Sequence, residues 1–298
     1  MSQPTRATSE VFQLAEGPVW DAAGARLLWV DILAGAVLEG RLSAGLVEVA
    51  HRHDFPGMVS AVAVGQDAEL LIAAQEQLVV LGPDGSRRHG PRVLPPDARR
   101  RLNDGSTDPS GRFLVGTLSL DGPSEDEVLV RLEPDGSLTE IDDDLTLSNG
   151  LAWSLDGRLM YSVDTLRRVV YVREYDVASG ASSGRRVHVR LDDGHPDGIA
   201  VDAEGHLWVA VWGLGQVRRY APDGALVDRL DVPAPHVSSV AFAEEDLRTL
   251  VITTATAELS DEQLRENPDS GALFTARVDV PGHATTAWAG LSRNSSPS

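Results

Sequence analysis

The sequence predicts a single all-β domain spanning residues 1–298, a six-bladed β-propeller with four-stranded blades and a ring closed by an N-terminal strand. Three observations predict it. One unit recurs from end to end at a spacing of about 40–50 residues, which is the period of propeller blades. Short apolar or alternating runs bounded by turn residues fill the units, as strands do. Helix signals are nearly absent, and no linker interrupts the series.

Four copies of the unit are clear. Glu16, Asn103, Asn149 and Asp197 each stand eight residues before a turn glycine, respectively Gly24, Gly111, Gly157 and Gly205. The turns read Asp21-Ala-Ala-Gly24, Asp108-Pro-Ser-Gly111, Ser154-Leu-Asp-Gly157 and Asp202-Ala-Glu-Gly205. A β-rich run follows each, such as Arg26-Leu-Leu-Trp-Val30 or His206-Leu-Trp-Val-Ala210. Two weaker copies complete the ring: Ser60-Ala-Val-Ala-Val64 before Ala68-Glu-Leu-Leu-Ile72, and Ser238-Ser-Val-Ala-Phe242 before Leu247-Arg-Thr-Leu-Val-Ile252. Alanine three positions after the key residue, at Ala63, Ala152, Ala200 and Ala241, fixes the register, so the key positions are 16, 60, 103, 149, 197 and 238.

The remaining strands follow from local chemistry. Val128-Leu-Val-Arg-Leu132, Val169-Val-Tyr-Val-Arg-Glu-Tyr175 and Val187-His-Val-Arg-Leu191 read as strands. Pro83-Asp-Gly85, Pro134-Asp-Gly136 and Pro222-Asp-Gly224 read as tight turns, because proline presets φ and glycine tolerates positive φ. Residues 260–267 are expected to form a turn or two of helix in the last blade. Residues 271–278 are expected to be an inner strand of that blade, with residues 8–14 pairing as its outer strand and leaving no open edge. The polar tail, about 292–298, is expected to be disordered.

Composition narrows the function. The net charge is −19, so no basic stripe is available for nucleic acid or for an anionic membrane surface. No window approaches a membrane span, and the N-terminus lacks an apolar signal core, which makes a cytoplasmic location the default expectation. With no cysteine, disulfides, thiol catalysis and zinc–thiolate sites are excluded.

Equivalent positions of a closed repeat point to equivalent places around its axis, so the key residues are expected to converge at one mouth of the central channel. Glu16, Asn149 and Asp197 bring two carboxylates and an amide carbonyl. These hard oxygen donors suit calcium, magnesium or manganese better than a softer ion. Three protein ligands leave positions for water and substrate, as a catalytic site requires. Ser60 and Ser238 are read as structural, while His195 and Trp212 are candidates to reach the pocket.

The same residues resemble the regucalcin/gluconolactonase family, the senescence-marker-protein group of six-bladed propellers. The resemblance runs from about residue 10 to 290. It rests on Glu16-Gly-Pro-Val-Trp20, Arg101-Leu-Asn-Asp-Gly105 with Asp108-Pro-Ser-Gly-Arg112, Gly116-Thr117, Ser148-Asn-Gly-Leu-Ala-Trp153, Pro196-Asp-Gly198, Asp202-Ala-Glu-Gly-His-Leu-Trp-Val-Ala210 and Leu264-Arg-Glu-Asn-Pro-Asp-Ser-Gly-Ala-Leu-Phe274. The resemblance implies a metal-dependent lactonase that opens a sugar lactone (an aldonolactone) to the acid. Its divalent-metal ligands fall on Glu16, Asn149 and Asp197, with Asp197 also the general base. Its substrate-contacting Arg and Asn fall on Arg101 and Asn103. Its substrate-contacting Glu falls near Asp121, a shorter acid in a loop made apolar by Leu118 and Leu120, with Glu125 a possible replacement. The ion could be Ca, Mn, Mg, Zn or Fe(II). Two other readings share the fold: a metal-dependent esterase or phosphotriesterase, and a non-catalytic calcium-binding regulatory protein. Oligomeric state is not legible.

Overall fold

The computed structural model describes residues 1–292; the rest of the polar tail lies outside the described residues. Six four-stranded antiparallel sheets are arranged as blades around a channel. The innermost strands are Ala15–Asp21, Val59–Val64, Arg100–Thr107, Ser148–Trp153, His195–Val201 and Val237–Ala243, one for each repeat unit. They touch one another in cyclic order, the sixth returning to the first. Each key position therefore lies on an innermost strand.

The core is divided among the blade interfaces. Six buried apolar clusters lie between successive blades, one per interface. Trp29 and Phe12 meet edge-on at 5.6 Å between the first and last blades, and Trp208 meets Phe242 at 5.8 Å between the fifth and sixth. The recurring Asp-x-x-Gly turn is held by its own carboxylate. Asp108 accepts the amides of Ser110 and Arg112, and Asp202 accepts those of Glu204 and His206. Both carboxylates also bind an arginine, Arg112 and Arg219.

The ring closes through its N-terminus, with a correction to the expected segment. The outermost strand of the last blade is Thr5–Arg6, pairing with Phe274–Arg277, not residues 8–14. The latter segment carries acidic and polar side chains, and follows as a connection with Phe12 donating to the Gly271 carbonyl and Leu14 bridging to Ala255. The strand read from residues 271–278 is third from the axis, because Val237–Ala243 and Thr249–Thr254 precede it in the chain and take the two inner places. That insertion forms the helix Asp261–Glu266, capped reciprocally by Ser260 and Gln263. It is far too short to cross a membrane, and no helix among the described residues could do so.

A C-terminal strap, unforeseen in the sequence, crosses the channel end away from the key residues. His283 donates to the Val201 carbonyl, Trp288 to that of Val64 and Ala289 to that of Gly111. Trp288 is buried against the second and third blades.

Candidate active site at one mouth of the channel

The innermost strands do not run smoothly past their key residues. In each blade the register against the second strand slips there: between Glu16 and Val19, Val59 and Ala61, Leu102 and Gly105, Asn149 and Leu151, Pro196 and Ile199, and Val237 and Ser239. A bulge bends the strand and re-aims side chains. Glycine follows each of the three residues read as metal ligands, at Gly17, Gly150 and Gly198. Gly17 adopts φ +50°, a region open to glycine. Gly150 lies so close to the next blade that a Cβ there would strike the Asp197 carbonyl.

The repeat thereby brings Glu16, Arg101, Asn103, Asn149 and Asp197 to one cavity of about 260 Å³, whose wall also includes His195 and Trp212. All five are buried. Asn149 Nδ2 donates to Thr165 Oγ1 at 3.1 Å, and Thr165 Oγ1 donates to the Pro196 carbonyl at 2.9 Å. This chain fixes the amide so that its oxygen stays available as a donor atom. Arg101 Nη1 donates to Asn103 Oδ1 at 2.6 Å and to the Leu102 carbonyl at 2.9 Å, while Asn103 Nδ2 donates to the Ser148 carbonyl at 2.8 Å. Ser60 and Ser238 instead tie strands together, donating to the carbonyls of Ala73 and Ala15.

Electrostatically the site is strained toward capture of positive charge. Burial pushes the Asp197 carboxyl well above its ordinary range, and the neighbouring Glu16 and Asp104 charges push it further. Burial likewise pushes Glu16 up to about 8, with Asp104 adding to the shift. Arg101 is the opposing charge; its own burial pulls it down to about 10, so it remains a cation at neutral pH. Asp197 Oδ1 is buried and has no hydrogen-bond partner. Among the described residues no three side chains drawn from His, Cys, Asp and Glu form a ligand group. A cation here would thus need the Asn149 amide beside the two carboxylates. Two carboxylates, one of them with an orphaned oxygen, and one amide oxygen fit a hard divalent ion.

Asp121 stands elsewhere. Arg99 Nε and Nη2 donate to its Oδ1 at 2.8 and 2.5 Å, and both side chains are exposed. Strand Phe113–Ser119 ends before Asp121, and the loop beyond turns outward. Glu125 is exposed as well, whereas Glu127 is buried and fastens that loop through Thr117, Ser124 and Arg100. From this segment only Leu118 reaches the cavity wall.

Sequence reasoning missed Asp104, whose burial pushes its carboxyl up to about 6 and whose charge reaches Glu16 and Asp197. Asp104 does not line this cavity: it faces the channel beyond it, beside Gly17 and Gly105, within the bulge between Leu102 and Gly105. Thr165 and Glu258 were also missed. They come from loops beyond the second strands of their blades, where no repeat signal marks them.

Fold and site together define a six-bladed propeller with a buried, acidic, oxygen-rich pocket at one channel mouth. The chain belongs to the family described as SMP-30/Gluconolactonase/LRE-like region, whose model matches residues 14–256. It is 36% identical to a pentonolactonase of Haloferax volcanii, over 93% of this chain and 94% of that protein. It is 34% identical to a 6-deoxy-6-sulfogluconolactonase of Pseudomonas putida, over 93% and 95%. Among solved structures, the calcium-binding protein regucalcin from Agrobacterium tumefaciens superposes with a TM-score of 0.88 at 30% identity, covering 94% of this chain and 95% of that one. These relationships support a lactone hydrolase acting on a small-molecule lactone.

Proposed function

We propose that the protein is a divalent-metal-dependent lactonase that opens a lactone of the aldonolactone type to its acid. Glu16, Asn149 and Asp197 would hold the ion. The observation that carries this reading is the buried Asp197 carboxyl, one oxygen unpartnered, beside a second buried carboxyl with Arg101 as counter-charge. When bound, a divalent ion at these donors supplies Lewis-acid polarisation of a carbonyl and acidification of water.

The chain's own groups do the rest. Asp197 accepts the proton of the attacking water and returns it to the departing ring oxygen, which leaves as a hydroxyl. Arg101 is held by Asn103 and the Leu102 carbonyl, and its remaining N–H groups can bind a hydroxyl or the nascent carboxylate. Thr165 fixes the Asn149 amide. The cavity volume suits a single five- or six-membered ring.

Asp197→Asn is the test. Turnover of a sugar lactone should fall by about 10²-fold or more, the contribution of a general base, with circular dichroism unchanged. Near-normal hydrolysis by this variant would remove the role assigned to Asp197. A purely calcium-binding protein would instead bind the ion and hydrolyse no lactone.

A further inference from the structure

Part of the cavity's polar surface is already engaged within the protein, while Asp197 Oδ1 and the remaining N–H groups of Arg101 stay open to substrate. Both ends of the Asn103 amide are engaged, by Arg101 and by the Ser148 carbonyl. The Asn149 amide donor and the Thr165 hydroxyl are engaged too. Asp121, the acid that could have met ring hydroxyls, is turned outward onto Arg99. His195 and Glu258 are the other polar groups on the wall.

The rest of the wall is apolar: Leu14, Ile32, Leu118, Leu147, Leu166 and Trp212, drawn from four blades. Trp212 is held flat by stacking on His236 at 4.0 Å and 13° between planes. The apolar surface continues outward along the loops at this mouth. Leu33 follows Ile32, Leu120 lies two residues past Leu118, and Leu214 lies two past Trp212. These residues and Leu166 are 45%, 40%, 38% and 40% exposed, respectively. Single exposed leucines are ordinary on a surface, but three of these adjoin apolar residues of the cavity wall and Leu166 is itself one of them.

We infer that the substrate is a lactone of the aldonolactone type in which an alkyl or aryl substituent takes the place of the exocyclic hydroxymethyl group. Its carbonyl would sit beside Glu16, Asn149 and Asp197, and its substituent would lie against Leu118, Leu166 and Trp212. A hydroxyl pressed against that wall loses its water without gaining a partner, whereas an alkyl group gains by burial. The inference rests on the lactonase reading above.

The test uses purified full-length protein reconstituted with divalent ions and a series of lactones of one ring size. The series runs from a fully hydroxylated aldonolactone, through deoxy analogues, to γ- or δ-alkyl lactones. The alkyl lactones should be preferred by about tenfold or more in kcat/KM, chiefly through KM, since one methylene in an apolar pocket discriminates roughly 10–200-fold. Leu118→Asn should bring the preference toward unity. Leu166→Asn, at a part-exposed position, should do likewise without risk to the fold. Hydrolysis with the fully hydroxylated lactone preferred, or an alkyl preference untouched by both variants, overturns the inference and leaves the lactonase reading standing. No hydrolysis of any lactone with any ion overturns both.

Discussion

At the residue scale, Glu16 and Asp197 are two carboxyls placed where neither is comfortable as an anion. Burial raises the folded-state proton affinity of both, the Asp104 charge adds to it at both, and the Glu16 charge adds to it at Asp197. A raised carboxyl favours the protonated folded chain. For Glu16 this stabilising contribution is therefore complete below about pH 4.5 and is lost as pH rises through about 8. Metal-stripped protein should accordingly lose thermal stability between those limits, and millimolar divalent ion should suppress the loss. Glu16→Gln should flatten the metal-free profile and weaken the response to metal. Melting temperatures followed across pH, with chelator and with ion, check both; identical profiles with and without metal would count against Glu16 as a ligand. These residues were legible because an eight-residue offset to a glycine repeats four times. Asp104, Thr165 and Glu258 were not, since what places them is a bulge or a loop, neither of which leaves a periodic mark.

At the scale of the element, the innermost strand with its bulge is the device that builds the site. Alternation predicted strands, and the repeat predicted which residues face the axis, yet neither predicted that the register would slip at every key residue. Glycine after Glu16, Asn149 and Asp197 was its visible trace in three of the six blades. Gly150 is the sharpest case, because its Cα hydrogen faces the backbone of the neighbouring ligand strand. Gly150→Ala should cost about 1–3 kcal/mol from overpacking and should move Asn149 and Asp197 together. Urea unfolding with metal titration reads both effects, and a stable variant with wild-type metal affinity would show that the close approach is not needed. The loop after strand Phe113–Ser119 shows the opposite limit of sequence reading. Matching Asp121 to a family acid pointed to this loop, but a neighbouring arginine holds the side chain outward.

At the scale of the whole molecule, the propeller turns six weak units into one rigid ring. Each blade buries its faces against two neighbours, and the last blade borrows its outer strand from the N-terminus, so that no interior edge stays open. Closure by the N-terminal segment was anticipated, and the last blade takes its fourth strand from there. Its location was misplaced by a few residues, because the two-residue pairing at Thr5–Arg6 is too short to leave a pattern. The strap ending at Trp288 was invisible for the same reason, with no alternation or repeat to announce it. With the strap across one mouth, the acidic cavity lies at the other.

The most direct measurement is acid release from a panel of pentono-, hexono- and alkyl-lactones by chelator-stripped protein, read against spontaneous hydrolysis before and after adding each divalent ion. The account predicts no release above background without metal and restored turnover with at least one ion. Full activity in chelator, or silence with every ion and every lactone, would contradict it.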